Sequence, residues 1–366
     1  MTTKLDSPAI NERVAAAIRE QLARKMATET STVETPASVA APKVMKAVVV
    51  GEGQKLASDV LGVKLAGNDF AVTVLDRSKL PPEVAAMVPM LDKDYTVQKD
   101  AAVRMLRAWE GEHPDKVLIT GPTGSGKSSL VAYCCALTNR PMIRINMTGD
   151  TESSVIFGTQ VVRDGATVWV NGPATEACLY GAVLAVDEWE VMPPEISFGF
   201  QYLLEEGGKL FLKEKPGTSH DKLITPHKDF RLVFLGNTVG QGDDTGKYAG
   251  TNVQNTATLD RFGTTIVLDY LDSMHEIALL TKKVSGDYMN KKLAVDMVKV
   301  AEMVRSSNNQ GEIGLTMSPR TLLNWARKVE QWNGDVRLAF TIAFLDKMRD
   351  SERKVVIELY NKVFGR

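Results

Sequence analysis

The stretch KVLITGPTGSGKSSLVAYCCAL, residues 116–137, decides which fold this chain can adopt. Its first five residues form an apolar run with the β-branched side chains of a buried strand, and residues 128–137 have the pattern of a buried helix. Between these two runs, residues 121–128 match GxxxxGK[ST] at every position. A glycine-rich turn that matched the motif by chance would not need to lie between a strand and a helix. The stretch therefore predicts a phosphate-binding loop (P-loop) within an α/β fold.

The predicted P-loop supplies the groups that a nucleoside triphosphate needs. Glycines allow backbone N–H groups to turn inward around phosphate oxygens, and the N-terminus of the following helix adds its dipole. Lys127 is expected to reach the β- and γ-phosphates, and the Ser128 hydroxyl is expected to ligate Mg²⁺. We therefore predict ATP and Mg²⁺ as cofactors, with nucleotide contacts from Gly121, Pro122, Thr123, Gly124, Ser125, Gly126, Lys127, Ser128 and Ser129.

A second apolar strand, AVLAVDEWE at residues 182–190, carries two adjacent carboxylates at its end. A lone Asp-Glu pair is usually a solvated strand end, but this pair lies downstream of a P-loop. Asp187 is expected to hold the magnesium directly or through water, and Glu188 to polarise the attacking water as a general base. Phosphoryl transfer to a substrate is the alternative. The position of Glu188 beside Asp187 favours water as the acceptor.

A third polar strand end is Asn237, the last residue of RLVFLGN at 231–237. An amide at the tip of a strand beside the P-loop strand could orient the same water. The alternative is a turn or helix cap, which is a common role of asparagine.

The composition limits the classes of protein that the chain can belong to. It has 366 residues and a net charge of −1, so the net charge does not indicate binding to nucleic acid. Three cysteines suit no disulfide framework, and the four histidines lack ligand spacing, so reduced thiols and no zinc site are expected. Without a long apolar run or a signal-like N-terminus, we expect a soluble cytoplasmic protein that does not contact a membrane.

The distribution of apolar runs predicts four regions. Residues 1–45 hold a helix and a Thr/Pro-rich linker, and this helix is either a frayed end or a docking element. Residues 46–90 are expected to form a small α/β module. Strands alternate with helices over residues 91–270, which predicts a parallel sheet flanked by helices. Only helical periodicity follows in residues 271–366, so an all-helical lid domain is expected there. The predicted sheet strands are KVLIT, MIRIN, AVLAVD, RLVFLGN and TTIVLDY.

Taken together, a P-loop, an Asp-Glu strand end, a strand-tip Asn, LDRF at 259–262 and a helical domain that carries SPR resemble the AAA+ ATPases. The MoxR-like branch fits best, because GPATEA at 172–177 matches its GPxxxA segment and a hairpin is expected just before it. Within that branch, the stretch from Asn237 to Phe262 and MSPRTLLNWA at 317–326 are most similar to the CobS subunits of aerobic cobaltochelatase. The resemblance covers roughly residues 58–366.

The resemblance implies roles for three further side chains. Asn237 is the sensor-1 residue, Arg261 is the arginine finger that reaches the γ-phosphate of the neighbouring subunit, and Arg320 is the sensor-2 residue of the lid. A guanidinium suits both arginine positions because it stays charged and forks onto phosphate oxygens. A finger acting in trans implies a homo-oligomeric ring, typically a hexamer. The alternatives are a surface salt bridge for Arg261 and, for Arg320, a first-turn position after Ser318 as N-cap.

The resemblance also implies partners and a reaction. CobS-type rings act with CobT, which has a metal-ion-dependent adhesion site, and with CobN, so ATP hydrolysis would drive cobalt insertion into hydrogenobyrinic acid a,c-diamide. The first 57 residues do not match that subunit, which leaves open a divergent or phage-encoded MoxR-like ATPase that remodels another protein. A nucleic-acid motor is disfavoured by the charge, and a non-catalytic binding module is disfavoured by the complete site. Residues 163–170 and 207–230 are the expected client contacts, and residues 238–258 are expected at a subunit interface.

Overall fold

The computed structural model describes residues 50–65, 67, 69–240 and 254–365. All of them belong to one compact unit that spans residues 48–366. The predicted N-terminal helix and linker at 1–45 lie outside the described residues. The same holds for residues 241–253, the interior of the predicted interface loop.

The strands and helices are arranged along the chain in an order typical of an α/β domain followed by a helical region. The strands are β1 (Gln54–Leu56), β2 (Ala71–Thr73), β3 (Val117–Thr120), β4 (Met142–Asn146), β5 (Gly158–Arg163), β6 (Ala166–Asn171), β7 (Val183–Asp187), β8 (Leu210–Phe211), β9 (Leu223–Ile224), β10 (Arg231–Gly236) and β11 (Thr264–Val267). The helices are α1 (Ala57–Leu61), α2 (Pro82–Ala85), α3 (Lys99–Ala108), α4 (Lys127–Thr138), α5 (Ser153–Phe157), α6 (Pro173–Tyr180), α7 (Pro194–Leu204), α8 (Thr256–Leu259), α9 (Ser273–Lys283), α10 (Lys291–Asn309), α11 (Pro319–Gln331), α12 (Val336–Ala343) and α13 (Asp350–Phe364).

The centre of the molecule is a five-stranded parallel sheet with the order β11-β3-β10-β7-β4. The parallel sheet predicted from the apolar runs is therefore confirmed. Its register pairs Leu235 and Asn146 with Asp187, and Gly236 with Thr120. The carboxyl ends of β3, β10 and β7 thus meet at one edge, which is where ligands bind in open parallel sheets.

Both faces of the sheet are buried, as a parallel sheet requires. Side chains of alternating residues point to opposite faces, so Val117 and Ile119 pack on one side and Leu118 packs on the other. Helices α3 and α4 cover the first face, and α6 and α7 cover the second. The strands β3, β7 and β10 are buried along their whole length, which explains their nearly continuous apolar sequences.

The helices from α9 onward share a second hydrophobic core, in agreement with the predicted helical lid. Trp325 is fully buried there and packs against Phe340, with ring centroids 4.7 Å apart. Tyr360 stacks on Phe340 at 4.9 Å. Helix α11 therefore has one face in this core, while its N-terminus begins at Pro319 beside the P-loop. The exact boundaries predicted near residues 90 and 270 stay predictions.

Two antiparallel hairpins interrupt the α/β pattern where the sequence predicts them. The first pairs β5 with β6 through Asp164 and Gly165, which both have positive φ, as a tight hairpin turn needs. The second pairs β8 with β9 over two residues per strand only. Its connection, residues 212–222, is much longer than the tight Pro-Gly turn expected from Pro216 and Gly217.

Candidate functional site

The P-loop connects β3 to α4 along a path that only glycine allows at two points. Gly121 and Gly124 have φ values of +145° and +80°. A Cβ at Gly121 would lie 2.0 Å from the Leu268 carbonyl oxygen, and one at Gly124 would lie 2.7 Å from the Ser318 side chain. These two glycines therefore let the loop pack between the strand β11 edge and the start of the lid helix α11.

Lys127, the first residue of α4, points back over the loop. Its Nζ donates hydrogen bonds to the Gly121 carbonyl oxygen at 2.7 Å and to the Asn237 Oδ1 at 2.9 Å. Burial lowers the pKa of Lys127, while the charges of Asp187, Glu188 and Glu190 oppose that shift. The ammonium is thus held among oxygen atoms, at the position from which it can reach a triphosphate.

The predicted catalytic residues Glu188 and Asn237 are in contact. Asn237 Nδ2 donates to Glu188 Oε2 at 2.9 Å, while its Oδ1 accepts from Lys127. Glu188 has a φ of +55°, a backbone conformation that costs energy for a residue with a side chain. Strain of this kind persists where the surrounding structure imposes it, and here it turns the carboxylate away from the strand direction toward the amide of Asn237.

Asp187 has a partner that the sequence did not indicate. The Arg144 guanidinium forms an ion pair with the Asp187 carboxylate, and its Nε donates to Oδ2 at 3.0 Å. Arg144 lies on β4, the neighbouring strand of β7; its side chain is about half exposed and lines the nucleotide cavity. The motif MIRIN contains the only clue, a charged residue within a short apolar strand.

The P-loop faces a cavity of about 430 Å³, a size suited to a small-molecule ligand. The predicted ATP and Mg²⁺ fit this place on two observations. The buried Ser125 hydroxyl has no partner among the described residues, and Ser128 and Asp187 line the same cavity. Mg²⁺ commonly takes one or two carboxylates with phosphate and water ligands, so this donor set suits it.

Arg320 lines this cavity from the lid side. It follows Ser318, whose hydroxyl caps helix α11 by accepting from the Thr321 N–H at 3.2 Å, and Pro319 at the first helical position. The first-turn position after an N-cap, the alternative drawn from the sequence, is therefore present. The capped first turn places Arg320 at the cavity, and its sensor-2 role stays a prediction.

Arg261 lies elsewhere and does not line the nucleotide cavity of its own chain. Its Nη1 donates to the Ala257 carbonyl oxygen at 2.5 Å, and its Nη2 lies 3.5 Å from Glu205 Oε1. About 30% of the Arg261 side chain is exposed. A salt bridge at the surface, the alternative drawn from the sequence, is therefore present in the isolated chain.

A series of polar contacts, which was not predicted from the sequence, connects the lid with the P-loop. Tyr270 Oη donates to the Thr123 carbonyl oxygen at 3.1 Å, and the Arg305 guanidinium lies over the Tyr270 ring at 4.6 Å. Arg305 also binds both carboxylate oxygens of Glu276, at 2.9 and 2.7 Å. Its Nε donates to the carbonyl oxygen of Met317 at 2.7 Å, just before the SPR segment.

The described ends of the predicted interface loop are joined. Gln254 donates its N–H to the Gly240 carbonyl oxygen at 2.8 Å. Its side chain is buried and donates to the backbone carbonyl oxygen of Glu190 at 3.1 Å. Residues 240 and 254, the described ends of the loop, therefore meet at one place beside the Asp-Glu motif.

Two features are absent from the part of the chain that the structure describes. No group of three or more His, Cys, Asp and Glu residues is placed to hold a metal ion. No described helix combines the length and the apolar character needed to cross a membrane.

Comparison with known proteins identifies the class to which this site belongs. The family model described as AAA domain (dynein-related subfamily) matches residues 116–262, from the P-loop strand to the end of LDRF. A P-loop, an Asp-Glu strand end and a strand-tip Asn on a parallel sheet thus define an ATPase of the AAA class.

A curated relative narrows the class further. The aerobic cobaltochelatase subunit CobS of a Sinorhizobium species is 33% identical over 286 residues, which cover 76% of this chain and 84% of that protein. The chain belongs to the MoxR-like AAA+ ATPases and lies close to CobS within them, as its motifs predict.

Two further matches are less similar to this chain. Midasin of Dictyostelium discoideum is 27% identical over 252 residues, which cover 68% of this chain but 4% of that protein. Among solved structures, the Thermotoga maritima RuvB Holliday junction branch migration motor matches with 14% identity and a TM-score of 0.41, covering 75% of this chain and 72% of that one.

Proposed function

We propose that this chain is the ATP-hydrolysing subunit of a ring-shaped motor. The observation that carries the proposal is the Asn237 amide, which contacts both Lys127 and Glu188. One side chain thereby joins the cation that binds the γ-phosphate to the carboxylate that activates water. A binding module without catalysis would not need this arrangement.

The chain's own residues account for the steps of hydrolysis. Lys127 and the loop N–H groups bind and orient the triphosphate. Glu188 accepts a proton from the attacking water, while the Asn237 amide orients that water. The water oxygen then bonds to the γ-phosphorus, the bond from that phosphorus to the bridging oxygen breaks, and ADP and phosphate leave. When bound, Mg²⁺ would be held by Ser128 and Asp187 and would neutralise charge on the phosphate oxygens.

The two arginines take different parts in this proposal. Arg320 reaches the phosphates of its own subunit across the cavity, from the first turn of the lid helix. Arg261 reaches the γ-phosphate of the neighbouring subunit, so it must exchange Glu205 for that phosphate when the ring forms. The proposal therefore requires a homo-oligomer, and we infer a hexamer from the similarity to CobS-type proteins.

The finer function that we propose is the motor role in a cobaltochelatase. The similarity to CobS supports it: ATP hydrolysis would then drive cobalt insertion into a corrinoid precursor with CobT- and CobN-like subunits. A cytoplasmic location follows from this role, and the three buried free cysteines are compatible with it.

A second candidate is a MoxR-like ATPase that remodels another protein client. The two hairpins and helix α7 favour it, because they border a cavity of about 560 Å³ with exposed aromatic side chains. Phe198 and Tyr202 are each 63% exposed there, and Phe211 is 47% exposed. A surface of this kind fits contact with a protein client.

The proposal is tested by changing Glu188 to Gln. The variant should bind ATP with Mg²⁺ as the wild type does, and turnover should fall by about 100- to 10,000-fold because the general base is lost. Glu195→Gln is the matched control, since Glu195 is exposed on α7 outside the nucleotide cavity and should leave turnover within about twofold. Normal turnover by Glu188→Gln, or no ATP hydrolysis by the wild type, would refute the proposal.

The two client hypotheses are separated by affinity capture from the native host. The Glu188→Gln chain, held in its ATP-bound state, serves as the bait and the wild type with ADP as the control. Recovery of a CobT- or CobN-like protein supports the chelatase role. Recovery of a different protein with a metal-adhesion domain supports the remodelling role.

A further inference from the structure

The Asp-Glu motif continues into a second glutamate, Glu190, which is completely buried. Its Oε1 accepts a hydrogen bond from the backbone N–H of Asn237 at 2.5 Å. Its backbone carbonyl oxygen accepts from the buried Gln254 side chain at 3.1 Å. A buried carboxylate is costly unless it is hydrogen-bonded, so this contact with the sensor residue is a defined feature of the fold.

The preceding residue, Trp189, is also buried and contacts the other end of the loop. Its ring packs edge-on against Phe262 with centroids 5.7 Å apart, and against Phe234 at 6.0 Å. Phe262 directly follows Arg261, and Phe234 lies on β10, which ends at Gly236 just before Asn237. The indole Nε1 has no hydrogen-bond partner among the described residues, so packing is what the ring contributes.

The backbone of the loop passes these two side chains so closely that only glycine fits. A Cβ at Gly236 would lie 2.5 Å from the Trp189 Nε1 and 2.7 Å from the Glu190 Oε2. A Cβ at Gly240, where φ is +81°, would lie 2.7 Å from the Trp189 ring. The chain on both sides of Asn237 is therefore held against the short turn Trp189–Val191 that follows Glu188.

We propose that Glu190 and Trp189 are positioning residues that join the hydrolysis site of one subunit to its arginine finger. Glu190 holds the backbone of Asn237, so the amide stays in contact with Glu188 and Lys127. Trp189 holds Phe262 and thereby the chain at Arg261. The inference rests on the proposed function, and it adds the element that links the two ends of the loop.

The hydrogen bond from Asn237 provides the first test. Glu190→Gln keeps an oxygen acceptor of the same shape, so turnover should stay within about threefold of the wild type. Glu190→Ala removes the acceptor, and kcat should fall roughly 10- to 100-fold because the amide loses its placement. ATP affinity should stay within about twofold, since the P-loop is unchanged. Equal turnover in both variants and the wild type would overturn the proposal.

A matched control distinguishes positioning from a general loss of stability. Glu330 in the lid also accepts backbone N–H groups, from Asp287, Tyr288 and Met289, but it does not line the nucleotide cavity. Glu330→Ala should lower the thermal midpoint and leave kcat unchanged for the folded fraction. Hydrogen exchange at the Asn237 amide should be faster in Glu190→Ala than in Glu190→Gln. Unchanged exchange in Glu190→Ala would contradict the proposal.

Mixed assemblies provide a test that is independent of overall stability. Glu190→Ala should impair the subunit's own site, so mixing it with Arg261→Ala should restore activity, whereas mixing it with Lys127→Ala should not. A chain that merely fails to fold would be rescued by neither. Rescue by Lys127→Ala would place the defect in the finger instead and would overturn the role given to Glu190. If the wild type hydrolyses no ATP, the proposed function fails first.

The ring contacts of Trp189 are tested with Phe and Ala. Trp189→Phe keeps an aromatic ring against Phe234 and Phe262, so turnover should stay within about threefold. Trp189→Ala should reduce turnover by roughly tenfold or more. A loss of the same size in Trp189→Phe would contradict a role through ring packing.

Discussion

Arg320 and Arg261 carry the same guanidinium, and their surroundings differ. Arg320 lines the nucleotide cavity at the capped start of a helix. Arg261 lies outside that cavity, bound to Glu205 and to the Ala257 carbonyl oxygen of its own chain. The sequence assigns both to phosphate chemistry, but only one of them lines the phosphate site of its own chain.

This difference separates the two arginines by their expected effects on ATP binding and on turnover. A side chain that lines its own cavity can affect binding as well as turnover. An arginine held outside that cavity can contact a γ-phosphate only in a second copy of the chain, so we expect its mutation to spare ATP binding by its own P-loop. The weak ion pair with Glu205, which is half exposed, is consistent with a residue that changes partners.

The largest effect that would test this division is expected from Arg261→Ala. Turnover should fall by roughly 1,000-fold or more, because an arginine supplied in trans stabilises charge in the transition state. ATP affinity should stay within about twofold, since Arg261 is outside the cavity. Steady-state kinetics and binding of a fluorescent nucleotide measure the two quantities. Glu205→Gln is the control: it removes the resting partner and should leave turnover nearly unchanged, and a loss as large as that of Arg261→Ala would argue for a role within one subunit.

A smaller effect is expected from Arg320→Ala, and it should be of a different kind. Loss of charge-assisted hydrogen bonds to phosphate should lower kcat/KM by roughly 10- to 100-fold, and ATP affinity should fall as well. Arg320→Lys should recover part of the ATP affinity, because lysine keeps the positive charge but cannot form the paired hydrogen bonds of a guanidinium. An Arg320→Ala variant that binds ATP like the wild type would remove the distinction between the two arginines.

The smallest effect concerns the buried carboxylate that links the two sites. Burial raises the pKa of Glu190 above its ordinary value of 4.5. The folded state then holds this proton more tightly than the unfolded state, so stability from this group is complete below pH 4.5 and falls as pH rises through the folded pKa. Each unit of upward shift corresponds to about 1.4 kcal/mol. Glu190→Gln should therefore gain in free energy of unfolding relative to the wild type between pH 4.5 and neutral pH, as denaturant titrations would show.

The features that could be predicted from the sequence are those encoded within one short segment. The P-loop, the Asp-Glu strand end and the sheet follow from short runs whose pattern is local. The ion pair of Arg144 with Asp187 depends on two strands that become neighbours only in the folded sheet. The contact between Tyr270 and Thr123 joins residues far apart in the chain, and no motif encodes it.

Glu190 shows why the linking element was missed. Its motif, DEWE, draws attention to the two carboxylates that line the nucleotide cavity, whereas the third faces the backbone of a distant strand tip. The predicted interface role of residues 238–258 stays a prediction, since the interior of that loop is outside the described residues. The described ends do show that the loop begins and ends against Trp189 and Glu190.

The central claim, that Arg261 serves the neighbouring subunit, is tested most directly by mixing two inactive chains. Arg261→Ala retains an intact P-loop, and Lys127→Ala retains an intact Arg261. Within a mixed ring, some sites combine the P-loop of the first with the arginine of the second, so ATP hydrolysis should return when the chains are mixed and be absent from either alone. Mixed rings of verified composition that stay inactive would contradict the claim.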